Sequence, residues 1–344
     1  MTPDGVFGIA VVGSGDMGAT YAEVAARHVP AARLVAVGGG RRAPGLAADY
    51  GVDHAEPYED LLARSDVDGV ILAIPHSLHV GHAVAAAKAR RHVLVEKPMA
   101  LSTEECDAMI LAADGAGVDL SVIMTMRFDG NFRRAHELVG EGAIGQVRML
   151  RLSGLTSGYD MGHKTWIADP AEGGVLLDWG SHAFDILRWF AGADPDRIAA
   201  EFAHFSDATV AEPTAMVQLA YGNGVLAQVW MSYELPDPGL DSAFRLWVVG
   251  SRGILEATRF GQLRLGIGGA WQVVAEDGPA DWALERRHDP VRLASPAAQV
   301  CDWVDSILAK RPSSAPARDA RWAVRQVEGA YRAWRTGEVV RFDA

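Results

Sequence analysis

The chain has 344 residues, 49% of them hydrophobic and 22% charged, which is the composition of a globular protein long enough for two domains. Lys plus Arg number 32 against 44 Asp plus Glu, a net charge of −12 that argues against the basic face of a nucleic-acid binder. Its two cysteines, Cys106 and Cys301, are far apart and outside any Cys-x-x-Cys or Cys/His cluster, so neither a disulfide framework nor a zinc site is expected. The stretch MTPDGVFGIAVVG has no basic region leading into an apolar run and a cleavage site. No signal peptide is expected from it. No apolar run approaches the ~18 residues of a membrane span, and a cytoplasmic location is expected.

The first 125 residues alternate short apolar runs with helical patterns. The runs at 7–12, 33–37, 69–74, 92–95 and 120–125 are rich in Val and Ile without alternation, as strands buried on both faces of a parallel sheet are. Candidate helices lie between them at 16–28, 43–50, 58–64, 78–90 and 103–116. The last opens with Ser102-Thr103-Glu104-Glu105, a Ser-x-x-Glu capping box. This is a βαβ register and predicts a doubly wound Rossmann-type α/β domain over 1–125.

From residue 126 the pattern changes. Helices are expected near 131–140 and within 173–190, then strands at 214–221, 224–233, 244–249, 253–257 and 271–275, with Asn223-Gly224 as a hairpin signal. Helices at 296–310 and 317–336 follow. The expectation for 126–344 is an α+β domain with a mostly antiparallel sheet and helices packed on one face.

Gly13-Ser14-Gly15-Asp16-Met17-Gly18 falls between the first strand and the first helix. In a dinucleotide site the first glycine permits the tight turn and the second lets a pyrophosphate approach the backbone. The third allows close helix–strand packing, and the helix N-terminus supplies amide donors. The second strand ends in Val37-Gly38-Gly39-Gly40-Arg41-Arg42, with no acid adjacent to receive ribose hydroxyls. Two arginines in its place suit a 2′-phosphate, so NADP is favoured over NAD, with Gly39, Arg41 and Arg42 as contacts.

The segment GGVLLDWGSHAFDILRWF carries Asp178, His182 and Asp185 within an apolar helix. At about 100° per residue these three share one narrow wedge, while Leu176, Trp179, Ala183, Ile186 and Phe190 form a stripe elsewhere. The helix is expected to bury the stripe and present the wedge.

Several of these features together resemble the glucose–fructose oxidoreductase, inositol dehydrogenase and rhizopine-catabolism (Gfo/Idh/MocA) family. The resemblance rests on Glu96-Lys97-Pro98 after the fourth long strand, Pro75 and His79 in IPHSLH, and Trp166, Asp169-Pro170, Gly173-Gly174 and Asp178-x-x-x-His182. It implies hydride transfer between a nicotinamide and a secondary hydroxyl or keto group of a sugar, cyclitol or related polyol. It also implies that Lys97, Asp178 and His182 are the catalytic residues, and that the second domain has an open sheet and serves substrate binding and oligomerisation. The roles are chemically coherent. Histidine can take and return a hydroxyl proton, Asp178 can orient the imidazole, and Lys97 can stabilise charge on the reacting oxygen. Pro98 restricts the backbone of Lys97.

Pro75, His76, His79 and Glu96 are further cofactor candidates. The spacing of His76, His79 and His82 carries no acidic or Cys partner, so no metal site is expected. Tyr159, Asp160, His163, Lys164 and Trp166 form a polar, aromatic loop suited to a sugar ring, His163 and Trp166 being the substrate candidates. Arg127 and Tyr233 are candidate pocket residues, Arg127 toward cofactor or substrate. The segment 88–92 lacks the helix-ending glycine usual in the family. Two other readings remain: a glycosidase that uses NAD transiently, and a non-catalytic cofactor sensor. Retention of Lys97, Asp178 and His182 together argues against the sensor.

Overall fold

The computed structural model describes residues 5–157, 167, 169, 173–206, 211–240 and 244–342. They fall into two compact units: residues 1–128 with 280–321, and residues 129–279 with 322–344.

The first unit contains β1 (Phe7–Val12), α1 (Asp16–Arg27), β2 (Ala32–Gly38), α2 (Ala43–Tyr50), β3 (Asp53–His54), α3 (Tyr58–Ala63), β4 (Gly69–Leu72), α4 (His79–Lys88), β5 (His92–Val95), α5 (Thr103–Ala116) and β6 (Leu120–Val122). The strands form one sheet in the order β3-β2-β1-β4-β5-β6, every pair parallel. This is the doubly wound arrangement expected. β1, β4 and the last three residues of β5 are buried throughout, which is why they read as unbroken apolar runs. Ser102 caps α5 by accepting from the Glu105 amide at 3.1 Å, and Glu105 returns its carboxylate to the Leu101 amide. Where α4 lacks a terminating glycine, Arg90 itself takes φ 58°. The expected strand at 120–125 stops at Val122, and Thr125–Phe128 form a 3-10 turn.

Residues 280–321 bring α8 (Pro290–Leu308) into this unit, whereas the sequence had grouped both C-terminal helices with the second domain. Packing accounts for the difference. Leu293, Val300, Trp303 and Val304 belong to the same core as Phe7, Ile9 and Tyr21. Trp303 meets Phe7 edge-on at 5.6 Å and donates to Asp119 at 2.9 Å. The helix also starts six residues before the expected 296, because Asp289 caps Val291 and Arg292 and Pro290 fits its first turn.

The second unit contains α6 (Gly130–Gly140), β7 (Val147–Ser157), α7 (Ser181–Ala191), β8 (Pro195–Ala203), β9 (Thr214–Tyr221), β10 (Leu226–Leu235), β11 (Phe244–Gly250), β12 (Gly253–Thr258), β13 (Gln262–Ile267) and β14 (Ala270–Glu276). It also holds residues 322 onward of α9 (Ala317–Thr336) and β15 (Val340–Arg341). The sheet order is β14-β13-β12-β11-β7-β10-β9-β8-β15, antiparallel except for the β7–β10 pair. One face carries Leu150, Leu152 and Gly154 and packs beneath the segment leading into α7, where a Cβ on Gly154 would meet Trp179 at 3.0 Å. On the other face Arg151 lies over Trp230 and Trp247, at 4.8 and 5.5 Å from the ring centroids. Met149, Met216, Leu226 and Trp271 are exposed. No helix among the described residues is long and apolar enough to cross a membrane.

Candidate active site

In the first unit the glycine loop is shaped for a close ligand. A Cβ on Gly13, whose φ is +116°, would strike the Ala73 carbonyl, and one on Gly18 would strike the Gly13 carbonyl. These two glycines are therefore required by packing. Gly15 differs, since a Cβ there would meet only Arg42 Nη2 at 3.9 Å. Gly15 is also the N-cap of α1, with no side chain capping the helix. The first amides of α1 thus face an open cradle, the geometry that receives a phosphate at a helix N-terminus. Asp16 is exposed and Met17 half-buried on the first turn. These residues fit a dinucleotide pyrophosphate.

The β2–α2 loop lies against this cradle. Gly13 N–H donates to the Gly38 carbonyl at 2.8 Å, and Arg42 N–H donates to Ser14 Oγ at 3.2 Å. Arg41 and Arg42 are exposed. A carboxylate is present here after all: Glu56, just beyond β3, accepts from the Gly39 amide at 3.0 Å. Sequence reading missed it because the acid comes from the neighbouring strand instead of following β2.

Lys97 is half-buried at the end of β5. The Glu96 side chain turns inward and accepts from the Lys97 amide at 3.0 Å, so it holds the loop. Burial pushes the Glu96 carboxyl above its ordinary range, against the pull of Lys97 and Arg286. His79 is fully buried, its ring nitrogens 3.0 Å from the Pro98 carbonyl and 3.1 Å from that of Ile74. Burial lowers its pKa, and its contacts tie the IPHSLH segment to the residue after Lys97. Pro75 is exposed, and half-buried His76 meets the His79 ring edge-on at 5.7 Å. His82 turns back onto the Leu78 carbonyl. No cluster of three or more metal-ligating side chains occurs among the described residues. Arg127 is buried, with Nη1 donating to Asp319 and to the Ser314 carbonyl, both at 2.9 Å.

In the second unit the Asp178/His182 segment corrects the expected geometry. Leu176–Gly180 form a π-helical turn and the α-helix begins only at Ser181, so the 100° count does not run through Asp178. Nor is there an exposed wedge. Asp178 and Asp185 are 2% exposed and His182 7%, and Phe184 and Leu187, outside the counted stripe, are buried too, so the helix is covered on more than one face. Asp178 Oδ2 accepts from the Tyr233 hydroxyl at 3.0 Å, and the Tyr233 ring packs edge-on against Trp179 at 4.7 Å.

Glu212, which sequence reading did not single out, holds the start of this segment. Its backbone carbonyl accepts from Val175 N–H at 2.9 Å and its carboxylate from Leu176 N–H at 3.1 Å. Tyr331 donates to the same carboxyl group, yet burial pushes its pKa to about 7. Gly174 has φ +107°, and a Cβ there would collide with that carboxylate. The next carbonyl, of Pro213, accepts from Tyr233 N–H at 2.9 Å. Two consecutive residues thus seat both the helix start and the tyrosine that meets Asp178. His163 and Trp166 lie outside the described residues, as do Tyr159, Asp160 and Lys164.

A parallel sheet with a glycine cradle at the N-terminus of its first helix defines a dinucleotide-binding α/β protein. Residues 7–124 match the family model for the oxidoreductase family with an NAD-binding Rossmann fold, and residues 132–256 match the GFO/IDH/MocA C-terminal domain. The chain belongs to the GFO/IDH/MocA oxidoreductases and is an NAD-binding enzyme of that family. It is 30% identical over 262 residues to myo-inositol 2-dehydrogenase of Thermotoga maritima, covering 71% of this chain and 73% of that one. It is similar to the crystal structure of GenD2 from gentamicin A biosynthesis in complex with NAD, with TM-score 0.83 and 27% identity over 98% of this chain and 97% of that one. Aldose-aldose oxidoreductase from Caulobacter crescentus gives TM-score 0.83 and 26% identity over 98% and 100%.

Proposed function

We propose that the chain is a dehydrogenase of a secondary hydroxyl group on a sugar, cyclitol or related polyol, with Lys97, Asp178 and His182 carrying the proton chemistry. The observation that carries this reading is the buried Asp178 carboxylate, held by Tyr233 and placed four residues before His182. Burying a carboxylate is costly unless it is hydrogen-bonded, and buried ionisable groups concentrate at functional sites. Bound nicotinamide supplies the hydride acceptor. On the protein's side, His182 accepts the hydroxyl proton and Asp178 favours its protonated form. Lys97, fixed through the Glu96 bond to its amide and the His79 bond to Pro98, donates to the reacting oxygen. The similarity to myo-inositol 2-dehydrogenase and to aldose-aldose oxidoreductase supports a polyhydroxylated substrate.

The exposed sheet face, with Arg151 between Trp230 and Trp247, is the surface on which a second copy of the chain would pack, giving a homo-oligomer in the cytoplasm. The test of function is a screen of cyclitols, polyols and aldoses with NAD⁺ and NADP⁺, read by the absorbance of reduced nicotinamide. Turnover of a polyol is expected. Sugar release from a glycoside without net reduction, or cofactor binding with no turnover of any compound, would overturn the assignment.

A further inference from the structure

We infer that Glu56 reads the adenosine ribose and makes this chain select NAD over NADP. The inference rests on the dinucleotide-binding role of the first unit. In Rossmann domains the residue that separates the two cofactors stands at the end of the second strand, where an acid accepts from the ribose hydroxyls. Here that position is glycine, and Glu56 takes it from the side. Pairing of β3 with β2 sets Ala36 beside Asp53 and Val37 beside His54. Ala55 N–H donates to the Val37 carbonyl at 3.1 Å, and a Cβ on Gly38 would meet the Ala55 carbonyl at 2.7 Å. Glu56 is therefore pinned next to the strand end, with Oε1 on the Gly39 amide at 3.0 Å. His54 Nε2 lies 3.6 Å from the same Oε1, and a carboxylate offers about four acceptor sites, so Oε2 keeps the capacity for two hydroxyls. The side chain is exposed at 47% and so is accessible from solution.

A 2′-phosphate would bring negative charge against this carboxylate. The arginines that suggested NADP are arranged otherwise. Arg42 has its backbone on Ser14 and Nη2 only 3.9 Å from the Cβ position of Gly15, over the pyrophosphate cradle. Glycine at 39 and 40 is what lets this packing occur, since a Cβ on Gly39 would meet Gly13 N at 3.0 Å and one on Gly40 would meet Ser14 Oγ at 2.7 Å.

The test is calorimetric titration of NAD⁺ and NADP⁺ into wild type, Glu56→Gln and Arg42→Ala. Wild type is expected to bind NAD⁺ at least tenfold more tightly. Glu56→Gln should shrink the NAD⁺/NADP⁺ affinity ratio about tenfold, mostly by gaining NADP⁺, while Arg42→Ala weakens both alike. A wild type that prefers NADP⁺, a ratio insensitive to Glu56→Gln, or selective loss of NADP⁺ in Arg42→Ala would overturn the inference. Binding of neither nucleotide to wild type would overturn the dinucleotide role as well.

Discussion

Tyr233 donates its phenolic proton to Asp178 Oδ2 at 3.0 Å, joining the C-terminal end of β10 to the turn that precedes His182. A hydrogen bond to a charged group contributes about 1.5–3 kcal/mol. Tyr233→Phe keeps the ring against Trp179 and removes only that bond. Its kcat is expected to fall about tenfold or more, with the dissociation constant for NAD⁺ unchanged. An unaltered kcat would remove Tyr233 from the mechanism.

Lys97→Ala and His182→Ala should each lower turnover by at least about 10²-fold, the range typical of a lost acid–base group. Nucleotide affinity in both should stay within a few-fold of wild type. Steady-state kinetics and calorimetry on the same preparations check this, and full activity in either variant would sink the assigned roles.

The Glu212 carboxyl titrates near 7 in the folded chain, above its ordinary 4.5. Its folded pKa is raised, so its protonation stabilises the fold below pH 4.5. That stability fades as pH rises and is gone above about 7. The full shift corresponds to roughly 3 kcal/mol. Glu212→Gln lacks this dependence, so the stability difference between wild type and variant should move in favour of wild type as pH falls from 7 to 5. Urea denaturation at several pH values measures it, and a pH-independent difference would contradict the assignment.

Gly174→Ala places a methyl group against that carboxylate at φ +107°. A destabilisation of at least about 1–3 kcal/mol is expected from the backbone conformation alone. A melting temperature equal to that of wild type would overturn both the backbone strain and the steric conflict with Glu212.

The parallel sheet was legible in the sequence because β1, β4 and β5 are buried on both faces and leave unbroken apolar runs. β7, β8 and β13 were not. Arginines at 148, 151, 197 and 264 and glycines at 154 and 266 interrupt their patterns, and only the partner strands explain them. At the candidate site the glycine loop was readable from its motif and its place between strand and helix, and Lys97, Asp178 and His182 were singled out by the resemblance, whereas the helical count missed the π-helical turn that carries Asp178. Glu56 and Glu212 were not legible, since each acts on backbone distant in sequence: Gly39 is 17 positions from Glu56 and Leu176 is 36 from Glu212. Arg127 and His79 looked like ligand contacts as polar residues near strand ends, and only the fold shows the carbonyls and the carboxylate they meet.

Replacing Trp230 and Trp247 together by Glu would place charge on the open sheet face. If a second copy packs there, light scattering should show a shift to smaller species, with the secondary structure intact. An unchanged mass would move the interface elsewhere.

Trp303 also constrains the order in which the chain is built. Its indole fills the core beside Phe7, yet nearly three hundred residues separate the two in sequence. During synthesis residues 129–279 of the second unit are made before that ring can reach Phe7, so the core of the first unit is completed late. A ribosome-bound chain halted after β6 should therefore be protease-sensitive, and resistance should arrive only once α8 has cleared the exit tunnel.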